Sequence, residues 1–280
     1  MTVQAADPDW SDLLDAWDRQ QRGYLPHREQ RFSAMLDALH AAVGDSPLAL
    51  DFACGPGSIS QRLLERCPRA RAVAIDLDPV LLAIGSGSLG TMGGRLTWLQ
   101  SDLRRPDWTT RIGGVPFDAA LSSTAVHWLK SAELVDAYRL IASILRPGGI
   151  ALLADNMPFA PEQRMMRHIV ATLERARHEF SFEIEGVRDW ARWWAWVGDH
   201  PGLAGLFTER ESCHRPLAHE LEDRSAAAAD DRSQPSEGMP TLAQHVAALS
   251  AAGFEEVDVI WQDLDDRVLV AVRSGTITSP

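Results

Sequence analysis

Three acids and one turn carry the clearest chemical signal in this chain: Asp51, Asp76, Asp102 and the small residues Ala53 to Gly57. The segment LALDFACGPGS, residues 48–58, runs from apolar residues through an acid into a turn of Cys54, Gly55, Pro56 and Gly57. In open α/β sheets a glycine turn after the first strand lets a ligand approach bare backbone and the N-terminus of the following helix. Nineteen residues past Gly57, Asp76 closes the apolar run AVAID, where a carboxylate can accept hydrogen bonds from both hydroxyls of a ribose. The spacing therefore points to a ligand that contains a nucleoside. A dinucleotide fingerprint needs a third glycine at position 60, which is Ser60, and no Gly-Lys-Ser/Thr follows as a P-loop requires. S-adenosylmethionine, which has no pyrophosphate to seat, fits this turn best.

These acids and glycines need strands to hold them. Between residues 48 and 155 apolar runs alternate with helix-compatible stretches, the pattern of a parallel sheet with crossover helices. Strands are expected at 48–53, 71–76, 95–100, 116–122 and 148–154, and two more at 254–261 and 267–273. Helical spacing joins Leu134, Tyr138, Ile141 and Leu145, with LRPGG at 145–149 as its stop. Phe32, Met35, Leu36 and Leu39 give a helix over 27–43, and TLAQHVAALSAAGF gives one closed by Gly253. The expected fold is α/β: a doubly wound, mostly parallel, seven-stranded Rossmann-like sheet with a helical insertion before the last two strands. Residues 1–45 form N-terminal helices over the cofactor mouth, 46–155 and 241–280 the core, and 156–240 the insertion. Near 220–240 the polar, Ala-rich stretch reads as a mobile loop, because few large apolar groups offset the cost of ordering it.

Taken in order, these motifs resemble those of the class I S-adenosylmethionine-dependent methyltransferases, in the branch that acts on small molecules. Asp51, Ala53, Gly55 and Gly57 match the family's first motif, with Ala53 in place of the usual first glycine. A methyl there narrows the space by the methionine moiety and is tolerated where the backbone stays in an allowed region. Asp76 matches the second motif. Asp102, in LQSDLRR, matches the acid that bonds the adenine amino group, with capping of a helix as its other reading. The fourth motif follows FDAALSS with TAVHWL, where His127 and Trp128 match. LRPGG and AAGF complete the likeness, which covers residues 48–155 and 241–273.

The resemblance implies a cofactor set of Tyr24, Arg28, Asp51, Ala53, Cys54, Gly55, Pro56, Gly57, Asp76, Leu77, Asp102, Leu103, Ser122 and His127. Asp51 either steadies the glycine loop or reaches the methionine ammonium. Arg28 either pairs with the methionine carboxylate or is solvated at the surface. Cys54 reads as a packed small residue rather than a nucleophile. Methyl transfer to a sulfonium-activated carbon asks chiefly for alignment and exclusion of water. For a hydroxyl or ammonium acceptor, His127 is the candidate base, with packing or cofactor contact as its alternative.

In the insertion, WARWWAWV places Trp190, Trp193, Trp194 and Val197 on one helical face. Packing of this face on the sheet accounts for two of its tryptophans, and at least one lines an apolar or aromatic acceptor site. Trp128, Trp193, Trp194 and His168 are the substrate-side candidates. His168, His178 and His200 are too far apart in sequence to imply a metal, and none is expected.

Composition bounds the rest. Of 280 residues, 45% are hydrophobic and 24% charged, the balance of a globular protein without a membrane span. The N-terminus is acidic and does not read as a secretory signal, so the expected compartment is the cytoplasm. Three cysteines are too few for a disulfide framework. A net charge of −12 would repel a phosphate backbone, so the expected partner is a small molecule and neither nucleic acid nor membrane, with the chain a monomer or homodimer. The expected function is methyl transfer to oxygen or nitrogen of a small apolar or aromatic metabolite. The alternatives are an elimination or cyclisation on the same cofactor, or a cofactor-binding subunit without turnover.

Overall fold

The computed structural model describes residues 8–129, 131–214 and 239–275. Most of the loop expected near 220–240 lies outside them. Seven strands, β1 (Leu48–Phe52), β2 (Arg71–Asp76), β3 (Leu96–Gln100), β4 (Phe117–Ser123), β5 (Leu145–Asn156), β6 (Phe254–Asp263) and β7 (Asp266–Arg273), form one sheet. Their order is β3-β2-β1-β4-β5-β7-β6. All neighbours are parallel except β7, which runs antiparallel to β5 and β6. The order reverses between β1 and β4, and at such a switch point the strand ends open a crevice for ligand.

The central strands β1, β4 and β5 are buried on both faces, which is why they read as apolar runs rather than alternating ones, while the edge strands β3 and β6 are only partly covered. Leu50, Phe52 and Ile75 pack on one side with Trp108, Leu134, Tyr138, Ile141 and Leu249. Ala49, Ala72 and Ala74 face the other side, with Phe32, Met35, Ile59 and Leu63. The helices of these layers are α2 (Arg28–Val43), α3 (Ser58–Arg66), α4 (Pro79–Leu89), α5 (Trp108–Arg111), α6 (Ser131–Ile144) and α10 (Leu242–Ala251), with α1 (Trp10–Tyr24) before them. Asp78 caps α4 by accepting from the Val80 and Leu81 nitrogens, and Pro79 opens its first turn. Thr241 and Gln244 form a reciprocal capping box that starts α10. Helix α6 stops one residue earlier than its spacing implied: Leu145, counted with its helical face, opens β5.

Among the described residues the insertion contains α7 (Arg164–His178), a wide helical turn at Glu179–Ile184, α8 (Trp190–Gly198), a short tight turn at Pro201–Leu203 and α9 (Ala204–His214). The buried face of α8 does not pack on the sheet. Trp193, Val197 and Leu203 join Leu13, Leu14 and Trp17 of α1 and Val80, Leu81 and Ile84 of α4 in a separate cluster. Periodicity marks a face that must be buried without naming its partner, and here α1 and α4 supply it. No helix among the described residues is long and apolar enough to cross a membrane.

Candidate active site

The turn after β1 is shaped by three left-handed residues: Ala53 at φ 55°, Gly55 at 54° and Gly57 at 81°. Two are glycines, for which this region is free of steric cost. Ala53 is not, so the residue standing where the resemblance implies a glycine carries backbone strain. A Cβ on Gly57 would stand 2.5 Å from the Trp98 ring, and one on Gly85 of α4 would stand 2.6 Å from the Pro56 carbonyl oxygen. The loop is therefore clamped between β3 and α4 by contacts that only glycine permits. Cys54 is buried, its thiol donating to the Gly55 carbonyl at 3.3 Å. Burial, with the nearby charges of Asp51 and Asp76, holds that thiol well above its usual range, as a packed residue requires and a nucleophile does not.

Asp51 divides its two oxygens. Oδ2 accepts from the Ser60 hydroxyl at 2.6 Å and the Ser60 backbone nitrogen at 3.1 Å, tying the loop to the first turn of α3. Oδ1 is buried and has no partner among the described residues. Burial lifts this carboxyl to about 7 in spite of the Ser60 bonds, with the Asp76 charge adding to the rise. A buried carboxylate oxygen left open is expensive unless a cation arrives to meet it. Asp76 is engaged differently: Oδ2 accepts from the Gly55 nitrogen at 2.7 Å and Oδ1 from the Asp78 nitrogen at 2.9 Å. Each oxygen keeps a further lone pair. Burial raises Asp76 to about 6 against those two bonds.

Asp102 follows β3 and does not cap a helix. Its carboxylate accepts from the Arg104 backbone nitrogen and guanidinium at 2.7 to 3.0 Å. Although burial opposes it, Arg104 keeps Asp102 below the usual carboxylate range. Leu77 and Leu103 are half-buried beside these acids, and Ser122 of β4 is buried with its hydroxyl unpartnered among the described residues.

Helix α1 lies on the loop, with the Trp17 ring 3.6 Å from the point that a Gly55 Cβ would occupy. Asp18, one residue on, accepts from Arg28 and Arg62 at 2.7 Å and from Ser58 at 3.2 Å. Arg28 is neither solvated nor free: it is buried, and burial lowers its guanidinium to about 10 while Asp18 opposes that fall. Tyr24 ends α1 away from the loop, its hydroxyl accepting from the Trp190 nitrogen at 2.9 Å and its ring against Phe182. The insertion reaches the strand ends from the other side. Arg210 of α9 donates to Asp78 at 2.6 Å and stacks on Trp194 at 3.8 Å, and the flanking Glu209 and Cys213 lie beside Gln100.

His127 sits on a single helical turn, Val126–Trp128, directly after β4. Its Nδ1 lies 2.7 Å from Asp155 Oδ1, and its backbone nitrogen donates to Asp155 Oδ2 at 2.9 Å. Asp155, at the end of β5, is fully buried. Burial would raise it, but the charge and bonds of His127, helped by His245, bring it below the ordinary carboxylate value. Beside this pair of an imidazole and a buried carboxylate that fixes its tautomer stands an exposed indole: Trp128 is 38% exposed with its ring 4.9 Å from His127. Such a pair can accept a proton. Thr124, with a β-branched side chain at φ 60°, turns the chain into this motif. Arg31 holds it there, its guanidinium donating to Thr124 at 2.5 Å, Ser123 at 2.8 Å and Asp266 at 2.7 Å.

Of the substrate-side candidates, Trp193 is wholly buried against Trp17, Trp194 is half-buried, and His168 is exposed on α7. Only Trp128 is next to His127. No group of three or more metal-binding side chains occurs among the described residues. Asp155, Arg31, Asp18 and Arg210 were not picked out from sequence. Asp155 alone had a signal, an acid closing the apolar run ALLAD as Asp51 and Asp76 close theirs.

Residues 49–149 match a family model described as a methyltransferase domain. A trans-aconitate 2-methyltransferase of Azoarcus sp. (strain BH72) is 32% identical over 161 residues, covering 55% of this chain and 56% of that protein. One of Streptomyces avermitilis is 30% identical over 164 residues, covering 56% and 57%. A malonyl-[acyl-carrier protein] O-methyltransferase of Dechloromonas aromatica is 31% identical over 137 residues, covering 49% and 46%. The chain spans about half the length of these curated relatives. Among solved structures, Streptomyces venezuelae DesVI superposes with a TM-score of 0.56 at 16% identity, covering 96% of this chain and all of that one. An O-methyltransferase family protein of Burkholderia thailandensis gives 0.53 at 13%, covering 86% and 56%. At those identities the likeness is one of fold.

Proposed function

We propose that the chain is a class I S-adenosylmethionine-dependent methyltransferase that transfers a methyl group to an oxygen or nitrogen of a small, apolar or aromatic metabolite, a reading supported by the match of residues 49–149 to a methyltransferase domain. The cofactor supplies a carbon already activated for displacement. This chain's residues hold, orient and deprotonate. Asp51 Oδ1 receives the methionine ammonium while Oδ2 keeps the loop in place. The backbone at 53–57 lies along the amino-acid part, the second lone pairs of Asp76 accept from the ribose, and Asp102 with Leu77 and Leu103 borders the adenine. The observation that carries this reading is the open, buried oxygen of Asp51 at the same strand ends as the His127–Asp155 pair.

His127 takes the proton of the acceptor as its nucleophilic atom attacks, and Asp155 stabilises the imidazolium that results. Trp128 offers a flat apolar surface to the acceptor. The relatives' names carry trans-aconitate and malonyl groups, which are acids. Here Arg28, Arg31, Arg62 and Arg210 each already have a carboxylate partner in Asp18, Asp266, Asp18 or Asp78. An acceptor rich in carboxylates would meet no unpaired cation at these four positions, which favours a neutral one.

Incubation with methyl-labelled cofactor and a panel of phenols, amines and carboxylates tests the reading. Label is expected on a phenol or amine, with His127→Gln lowering kcat about 100-fold or more and leaving cofactor affinity within about twofold. Label on none of the panel, or cofactor consumed with no methyl in the product, would overturn it.

A further inference from the structure

We propose that α7 and the wide turn that continues it are the surface through which two copies of this chain pair, helix against helix and antiparallel. Six of the ten large apolar side chains exposed among the described residues lie in this one segment: Met165, Met166, Ile169, Leu173, Phe180 and Ile184. Steps of three and four residues carry them along one side of the helix, with Ala176 between Leu173 and Phe180. The opposite side meets the rest of the molecule. Val170 and Phe182 are buried there, Phe182 against Tyr24 of α1, and Arg177 pairs with Asp263 of β6 at 3.0 Å. Met165 and Ile184, at the two ends of the stripe, are 69% and 70% exposed, so no described residue covers either end. An apolar face about 30 Å long at the rise of an α-helix is larger than a monomer ordinarily leaves open, and it marks a site of association.

Charge selects the occupant. Arg164 and Arg167 open the segment and Glu179 and Glu185 close it, and the side chains of all four have no partner among the described residues. A wholly apolar partner would leave these charges unanswered at the rim. A second copy answers them if it runs the other way: a twofold axis beside Glu174 and Arg175 sets Arg164 against Glu185 of the other copy, Met165 against Ile184 and Ile169 against Phe180, with both copies of Leu173 near the axis. One register thus matches the apolar stripe and the charged ends together. A parallel pair would bring cations to cations and acids to acids. Because the contact uses the same patch on both copies, it closes at two.

Light scattering and sedimentation of the full chain over a dilution series test the proposal. The expected result is a dimer that dissociates on dilution. Ile169→Glu, a change at an exposed position, is expected to weaken pairing about 100-fold or more and to leave the unfolding midpoint of dilute protein where it was. Arg164→Glu is expected to weaken pairing about tenfold, and Arg164→Glu with Glu185→Arg to restore it. The swap decides the direction, since reversing both charges rebuilds the contact only where the two ends face each other. A chain that stays monomeric at every concentration, its stripe left to the acceptor or to another segment of the chain, would overturn the proposal. A dimer that Ile169→Glu leaves intact would overturn it as well, and a double charge variant no tighter than Arg164→Glu would overturn the antiparallel arrangement. Should Ile169→Glu fail to fold, the charge variants decide. None of these measurements needs cofactor or acceptor, so their outcome is independent of the methyl transfer proposed above.

Discussion

Ala53 shows what a single methyl group costs where the motif it resembles carries glycine. Its φ of 55° is left-handed, a region that costs an L-residue roughly 1–2 kcal/mol. Ala53→Gly removes the strain but gives the unfolded chain more freedom, so a net gain of about 0.5–1 kcal/mol is expected. The check is a higher urea midpoint with an unchanged slope, and a lower midpoint would contradict it. The position was legible from the motif order, whereas its backbone angle was not, since a small residue fits either handedness on paper. Asp51 was legible in the same incomplete way. Sequence left two roles open, and the structure gives one oxygen to the loop and leaves the other unpartnered. Its raised value near 7 also fixes a sign. The stability of protonated Asp51 is fully present below the ordinary carboxylate value and is lost as pH rises through about 7. Ligand-free wild type should therefore lose about 2 kcal/mol between pH 5 and 8 relative to Asp51→Asn, as unfolding at the two pH values would show.

Strands and helices were readable wherever one element's own residues specify it. The apolar runs that end in Asp51 and Asp76 became β1 and β2, and the alternation between them became a parallel sheet. What each face meets was harder to read. The tryptophan face of α8 packs on α1 and α4, because a hydrophobic stripe states that burial is needed and not where. Contacts between distant elements were harder still. Arg31 of α2 reaches Asp266 of β7, 235 positions away, and with the same guanidinium holds Thr124 in its strained turn before His127. No local pattern announces such a link. Arg31→Met would strand Asp266, whose carboxyl burial already pushes above its usual value. It should cost about 3 kcal/mol and loosen the turn that carries His127. Unfolding free energies within about 0.5 kcal/mol of each other would contradict this.

At the scale of the molecule, the seven-stranded sheet puts its acids at one edge because parallel strands all end on the same side. Asp51, Asp76 and Asp155 close β1, β2 and β5, and His127 follows β4. That convergence is why the order of motifs alone led to the fold and to a nucleoside ligand. The acceptor was not readable, because α1 and the insertion that cover this edge are built from helix faces that follow no motif. In the function proposed above, the open oxygen of Asp51 receives the ammonium of S-adenosylmethionine. Titration calorimetry of ligand-stripped protein with S-adenosylmethionine and with its demethylated product, in buffers of different ionisation heat between pH 6 and 8, tests it most directly. Binding is expected to tighten as pH rises through about 7, with proton release that disappears in Asp51→Asn. Absence of binding, or binding whose proton count is the same in wild type and Asp51→Asn, would contradict it.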